Sequence, residues 1–154
     1  MELKRQPDRK EIGYGGDPAI ALYEGWVRER SFALESILKA VIAQRAETLG
    51  SPEPPKATHN VSDLWDKARL PSLDKDDRAR LVLTWQALQW SGRYAAPNRG
   101  SDGQRKAVAQ LTAVKKGGLL VHSEPTFGWD EFDHLYRMAA TEMFKLYEER
   151  WPDI

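Results

Sequence analysis

The chain has no cysteine, which excludes disulfides, thiol catalysis and Cys-ligated zinc together. No run approaches the roughly 18 apolar residues needed to cross a bilayer. Residues 1–10 are polar and charged and do not read as a secretory signal, so the cytoplasm is the expected compartment. There is no excess of either charge, with 23 Lys and Arg against 23 Asp and Glu, whereas most nucleic-acid-binding domains are basic overall. No nucleotide-binding loop is visible either. Gly13-Tyr14-Gly15-Gly16 follows no strand signal and lacks a P-loop lysine.

What remains is an ordinary globular composition. Apolar residues make up 41% of the 154 residues and charged residues 30%, enough for one hydrophobic core but not for two. The six tryptophans are many for this length, and each carries a large apolar area with a single N–H to satisfy. They are expected in the core or at an interface.

Residues 1–16 read as a flexible lead-in, and 17–154 as one helical domain. Asp17-Pro18 is a start signal, an N-cap followed by a residue with no N–H to lose. Tyr23, Trp26, Val27, Leu34, Ile37, Leu38, Val41, Ile42 and Leu49 then recur at helical spacing. They predict one long helix, or two joined near Arg30-Ser31, closed at Gly50. A proline-rich loop follows. Asn60 and Asp63 stand at capping-box spacing before a short helix that buries Val61, Leu64, Trp65 and Ala68. A third helix begins near Asp74, with Asp76 and Asp77 at the positive end of its dipole. It turns Leu81, Thr84, Trp85 and Leu88 inward and ends by Gly92. Residues 93–103 read as extended and turn-rich, and 104–116 as a helix with Val108 and Leu111 inward, broken by Gly117-Gly118. Leu119-Leu120-Val121 fits either strand or buried coil. The last helix is expected over residues 129–150, with Phe132, Leu135, Tyr136, Ala139, Met143, Leu146 and Tyr147 inward. The pattern predicts an all-α bundle of four to five helices with one long N-terminal helix.

Charge is unevenly placed along the chain. Residues 93–116 hold six bases, Arg93, Arg99, Arg105, Lys106, Lys115 and Lys116, against the single acid Asp102. Residues 129–154 hold seven acids against Arg137, Lys145 and Arg150. A basic segment of this kind is either a phosphate-contacting surface or a solvated loop facing an acidic helix, and the neutral total favours the loop. Arg93 and Tyr94 are candidates for phosphate contact and base stacking, with Arg99, Arg105 and Lys106 beside them as ligand-binding candidates. Their structural alternative is packing of Tyr94 and capping of the third helix by Arg93.

Three segments, in order, resemble a known family. Ala33-Leu34-Glu35-Ser36-Ile37-Leu38-Lys39-Ala40 looks like the amphipathic helix of HEPN domains. Thr58-His59-Asn60-Val61-Ser62-Asp63-Leu64 resembles their short segment with a His followed by an acid or amide and spaced leucines. Arg93-Tyr94 near Pro97 is similar to the Arg-Tyr-Pro that follows the third helix. The resemblance covers residues 19–97 and implies a helical, dimeric bundle. It implies roles in toxin–antitoxin pairs, phage defence or RNA processing, with RNA or a protein such as a nucleotidyltransferase as partner. Active HEPN ribonucleases carry an arginine separated from a histidine by four to six residues, His to move protons and Arg to stabilise charge on phosphate. Here Pro52, Glu53 and Pro54 precede His59; Lys115, Lys116 and Gly117 precede His122; Phe127, Gly128 and Trp129 precede His134. The motif is missing, so the expectation is a non-catalytic binding or regulatory module. Two alternatives stand beside it. One is a divergent ribonuclease using His59, Arg93 or His134, brought together in space, and the other is an interaction domain with no nucleic-acid role.

The remaining polar residues favour structure over chemistry. Glu35 and Lys39 are spaced for a helical ion pair. His59 precedes a cap and fits a hydrogen bond that fixes the loop. The acids Asp130, Glu131, Asp133, Glu142, Glu148 and Glu149 lack the Glu-x-x-His spacing of carboxylate-bridged bundles, so neither a metal nor a cofactor is expected.

Overall fold

A computed structural model describes residues 18–50, 58–90, 113–116, 119–122 and 126–151. The expected sequence segments 1–16 and 93–111, with Arg93, Tyr94, Arg99, Arg105 and Lys106, lie outside them. The described chain is a helical bundle with one short hairpin: α1 (Pro18–Thr48), α2 (Val61–Lys67), α3 (Lys75–Trp90), β1 (Ala113–Lys116), β2 (Leu119–His122) and α4 (Trp129–Arg150). None of the described helices is long and apolar enough to cross a membrane.

The long first helix is continuous through Arg30-Ser31, where the Ser31 hydroxyl donates to the Val27 carbonyl at 2.7 Å. Its 31 residues span about 46 Å at roughly 1.5 Å each. Gly50 adopts φ +66° and donates to the Glu47 carbonyl, the left-handed helix exit that glycine permits. At α2 the Asp63 N–H donates to Asn60 Oδ1 at 3.3 Å. The reciprocal half of the expected capping box is replaced, because the Asn60 N–H donates to the Thr58 hydroxyl instead. Asp74 caps α3 by accepting from the Asp77 N–H at 2.8 Å.

Three ties place α4 parallel to α1. Arg30 donates to the Gly128 carbonyl at 3.1 Å, Arg45 pairs with Glu142, and Glu47 pairs with Arg150. Arg45 also donates to the Ala68 carbonyl at 2.9 Å, fixing the end of α2 at the same level. Between these ties Leu34, Leu38 and Val41 of α1 meet Val61, Leu64, Trp65, Leu81, Leu88, Phe132, Leu135, Ala139 and Leu146 in one core. Trp65 is completely buried, and its N–H is satisfied by the Pro71 carbonyl at 2.9 Å.

Tyr147, expected inward, is not in it, and three residues of the first helix's periodic pattern are not in it either. Tyr23, Trp26, Leu49 and Tyr147 are exposed. Leu22, Tyr23 and Trp26 precede Arg30, the residue of α1 that is tied to the start of α4. The tail of the predicted helix 104–116 is also corrected. Residues Ala113–Lys116 form a strand paired antiparallel with Leu119–His122, with Val114 opposite Val121 and Lys116 opposite Leu119. Gly117 and Gly118 stand between the paired residues in the sequence.

Candidate functional site

The most organised polar group in the bundle is centred on Glu35. It sits midway along α1, where its neighbours Leu34 and Leu38 face the core, and only 5% of its surface is exposed. A carboxylate this buried needs strong donors. Lys39, one turn on, supplies Nζ at 2.5 Å. His59, immediately before the α2 cap, supplies Nδ1 at 3.0 Å from Oε1 and 3.1 Å from Oε2. The ion pair of Glu35 and Lys39 expected from spacing is therefore present, with His59 as a third member.

This geometry fixes the histidine's roles. Nδ1 faces a carboxylate that only accepts, so Nδ1 carries the proton, and in the neutral ring Nε2 holds the lone pair. The His59 side chain is half exposed. A carboxylate-oriented imidazole beside a lysine ammonium can accept a proton at Nε2 or hold an anion near Nζ. It also fixes the loop before α2, as the structural reading of His59 requires.

His134 stands apart from this group. Its Nε2 lies 3.8 Å from Asp77 Oδ2, too far for a hydrogen bond. Asp77 is buried and is already engaged by Arg80 at 2.6 Å. His59 and His134 have no described partner in common, so the residues of the divergent-nuclease alternative are not gathered by any described contact.

A second polar seam holds the start of α4. Arg80 donates to the Thr126 carbonyl at 2.8 Å. Glu131 receives the Thr126 hydroxyl at 3.0 Å and the Gly128 N–H at 2.8 Å. Its own backbone N–H, then Thr126 and then Gly128, hold the Glu131 carboxyl below the usual carboxylate range. Arg30 completes the seam. Its guanidinium lies between the rings of Trp26 at 4.0 Å and Phe127 at 4.1 Å, a double cation–π contact. Burial pulls its pKa down, against the opposing pull of Tyr23 and Glu131, and its Nε is buried without a partner. Sequence reasoning passed over Arg30, although the i, i+4 pair of Trp26 and Arg30 was a visible signal.

Large apolar side chains are displayed on α1 and α4, and Leu49 just past α1 is exposed as well. Leu22, Tyr23 and Trp26 stand on the first turns of α1, with the rings of Tyr23 and Trp26 5.9 Å apart. Trp129, Phe144, Tyr147 and Trp151 stand along α4. Among the described residues no group of three or more His, Asp or Glu side chains is arranged to hold a metal. No family model matches the chain, and no curated protein or solved structure matches it.

Proposed function

We propose that this chain is a HEPN-like binding or regulatory module without catalysis of its own, working as a homodimer in a toxin–antitoxin, phage-defence or RNA-associated setting. The observation that carries this reading is the display of large apolar side chains on α1 and α4, outside the core that the helices share. Aromatic residues gathered on a folded surface are the usual material of interfaces. The buried polar groups, by contrast, are largely taken up with one another: Glu35 with His59 and Lys39, Asp77 with Arg80, Arg45 with Glu142. The long first helix, capped short second helix and long last helix are compatible with the resemblance. A protein such as a nucleotidyltransferase, or RNA held by Arg93, Tyr94, Arg99, Arg105 and Lys106, is the partner this reading names.

Fluorescence anisotropy with a single-stranded RNA at two salt concentrations tests the RNA branch. Phosphate contacts weaken as salt rises, so affinity falls with salt if these bases bind RNA. Absence of binding at low salt removes RNA and leaves a protein partner. Light scattering that shows only monomer at micromolar concentration removes the homodimer.

The divergent, metal-independent ribonuclease remains a second reading because one observation favours it, a half-exposed His59 held through Nδ1 by the carboxylate that also holds Lys39. RNA cleavage in the presence of chelator, lost in His59→Ala or His134→Ala, would replace the non-catalytic reading.

A further inference from the structure

The aromatic residues of α4 follow a pattern that the core does not require. Its core face is set by Phe132, Leu135, Ala139 and Leu146. Trp129, Tyr136, Ala140, Phe144, Tyr147 and Trp151 recur at three-, four- and seven-residue intervals on an adjoining stripe. Trp129 is 59% exposed, Phe144 67%, Tyr147 44% and Trp151 46%, while Tyr136 and Ala140 are half-buried. The first half of the stripe is braced from below. The ring of Trp129 leans on Phe132 at 5.6 Å, and Phe132 leans on Tyr136 at 5.6 Å.

The stripe reads nearly the same in both directions from Ala140. Eleven residues either side stand Trp129 and Trp151, and four either side stand Tyr136 and Phe144. Seven either side stand Asp133 and Tyr147, a carboxylate and a phenol. Two antiparallel copies of a helix related by a twofold axis place each residue before the axis opposite its counterpart after it. With the axis at Ala140, Trp129 meets the other copy's Trp151, and Tyr136 meets its Phe144. The Tyr147 hydroxyl meets an Asp133 carboxylate, whose Oδ2 already accepts from Arg137 at 2.6 Å. The smallest side chain of the stripe lies on the axis, where two helix backbones approach most closely.

We infer that a second copy of this chain packs antiparallel along the Trp129–Trp151 stripe of α4, with the twofold axis at Ala140. The inference rests on the homodimer proposed above and assigns it a surface and a register. The four exposed aromatics, at roughly 150–250 Å² each when fully covered, would bury on the order of 400–500 Å² per protomer. That is more than half of the ~800 Å² per partner of a standard interface. Tyr23 and Trp26, on α1, lie outside this contact.

The lack of native cysteine makes the register directly testable in the full chain. Ala140→Cys at the axis forms a covalent dimer on mild oxidation, whereas Thr141→Cys, on the neighbouring exposed position, does not. Phe144→Glu buries a charge at the contact and weakens dimerisation at least ~100-fold by sedimentation, while its helical circular dichroism is unchanged because the residue lies outside the core. A wild-type dimer that survives Phe144→Glu and leaves Ala140→Cys uncrosslinked overturns this interface but keeps the homodimer. A wild-type chain that is monomeric at micromolar concentration overturns both.

Discussion

One substitution made at two places on α1 separates the part of the helix that holds the bundle together from the part that extends past it. Leu38 has no exposed surface, whereas Leu22 is 76% exposed. Leu38→Ala removes three buried carbons from a site walled by α1, α2, α3 and α4 side chains. Buried Leu→Ala changes cost about 2.7–5 kcal/mol, the spread reflecting how far the site collapses. A cost near 3 kcal/mol lowers the melting temperature by roughly 10 °C in a chain of this length. Leu22→Ala removes the same carbons from water and exchanges one strong helix former for another, so its effect stays within about 0.5 kcal/mol. The assay is urea unfolding followed by helical circular dichroism, at one fixed protein concentration because association adds to apparent stability. Equal losses at the two positions would mean that the first turns of α1 are covered, and the reading of Tyr23 and Trp26 as displayed residues would fall. A loss below about 1 kcal/mol at Leu38 would remove it from the core.

Two further outcomes follow from the polar contacts. Glu131 is held below its ordinary carboxyl range in the folded chain, so its stabilising effect is complete above the unfolded value of about 4.3 and is lost as pH falls through the folded value. Melting curves of wild type and Glu131→Gln therefore converge in acid and separate towards neutral pH, with wild type the more stable; curves that stay parallel across that range remove the effect. For His59, nitrogen NMR of the neutral ring shows the proton on Nδ1, and Glu35→Gln reduces that preference. A ring protonated mainly on Nε2 in wild type contradicts the contact with Glu35.

Helix boundaries were legible because their signals are local. Asn60 and Asp74 cap α2 and α3 from the positions their sequence suggests, and the last helix covers the expected residues 129–150. Periodicity also found Leu34, Leu38, Val41, Leu64, Trp65, Leu135 and Ala139, all of which are buried. It failed at Tyr147, which is exposed, and it did not separate Tyr23, Trp26 and Leu49, also exposed, from the buried members of the same pattern. Spacing specifies which side of a helix is apolar, but not how far along the axis a neighbour reaches. At the hairpin, Ala113-Val114-Lys115-Lys116 has no strand alternation strong enough to outweigh the helix-favouring residues before it, and pairing with Leu119–His122 decides the outcome. The candidate site was half visible. Glu35 and Lys39 are four residues apart and announce themselves, but His59 joins them across 24 residues, and His134 lies beside Asp77 from a different helix. Such meetings are made by the packing of whole helices, which no short spacing encodes.

Because α1 is a single rod, fastened to α4 at Arg30, Arg45 and Glu47, it has no hinge in which to dissipate a load. The Arg30 guanidinium grips Trp26 on one side and Phe127 on the other while holding the Gly128 carbonyl. Anything that seizes Trp26 therefore also takes hold of the first turn of α4. A load on Trp26 is thereby carried to the foot of the parallel helix.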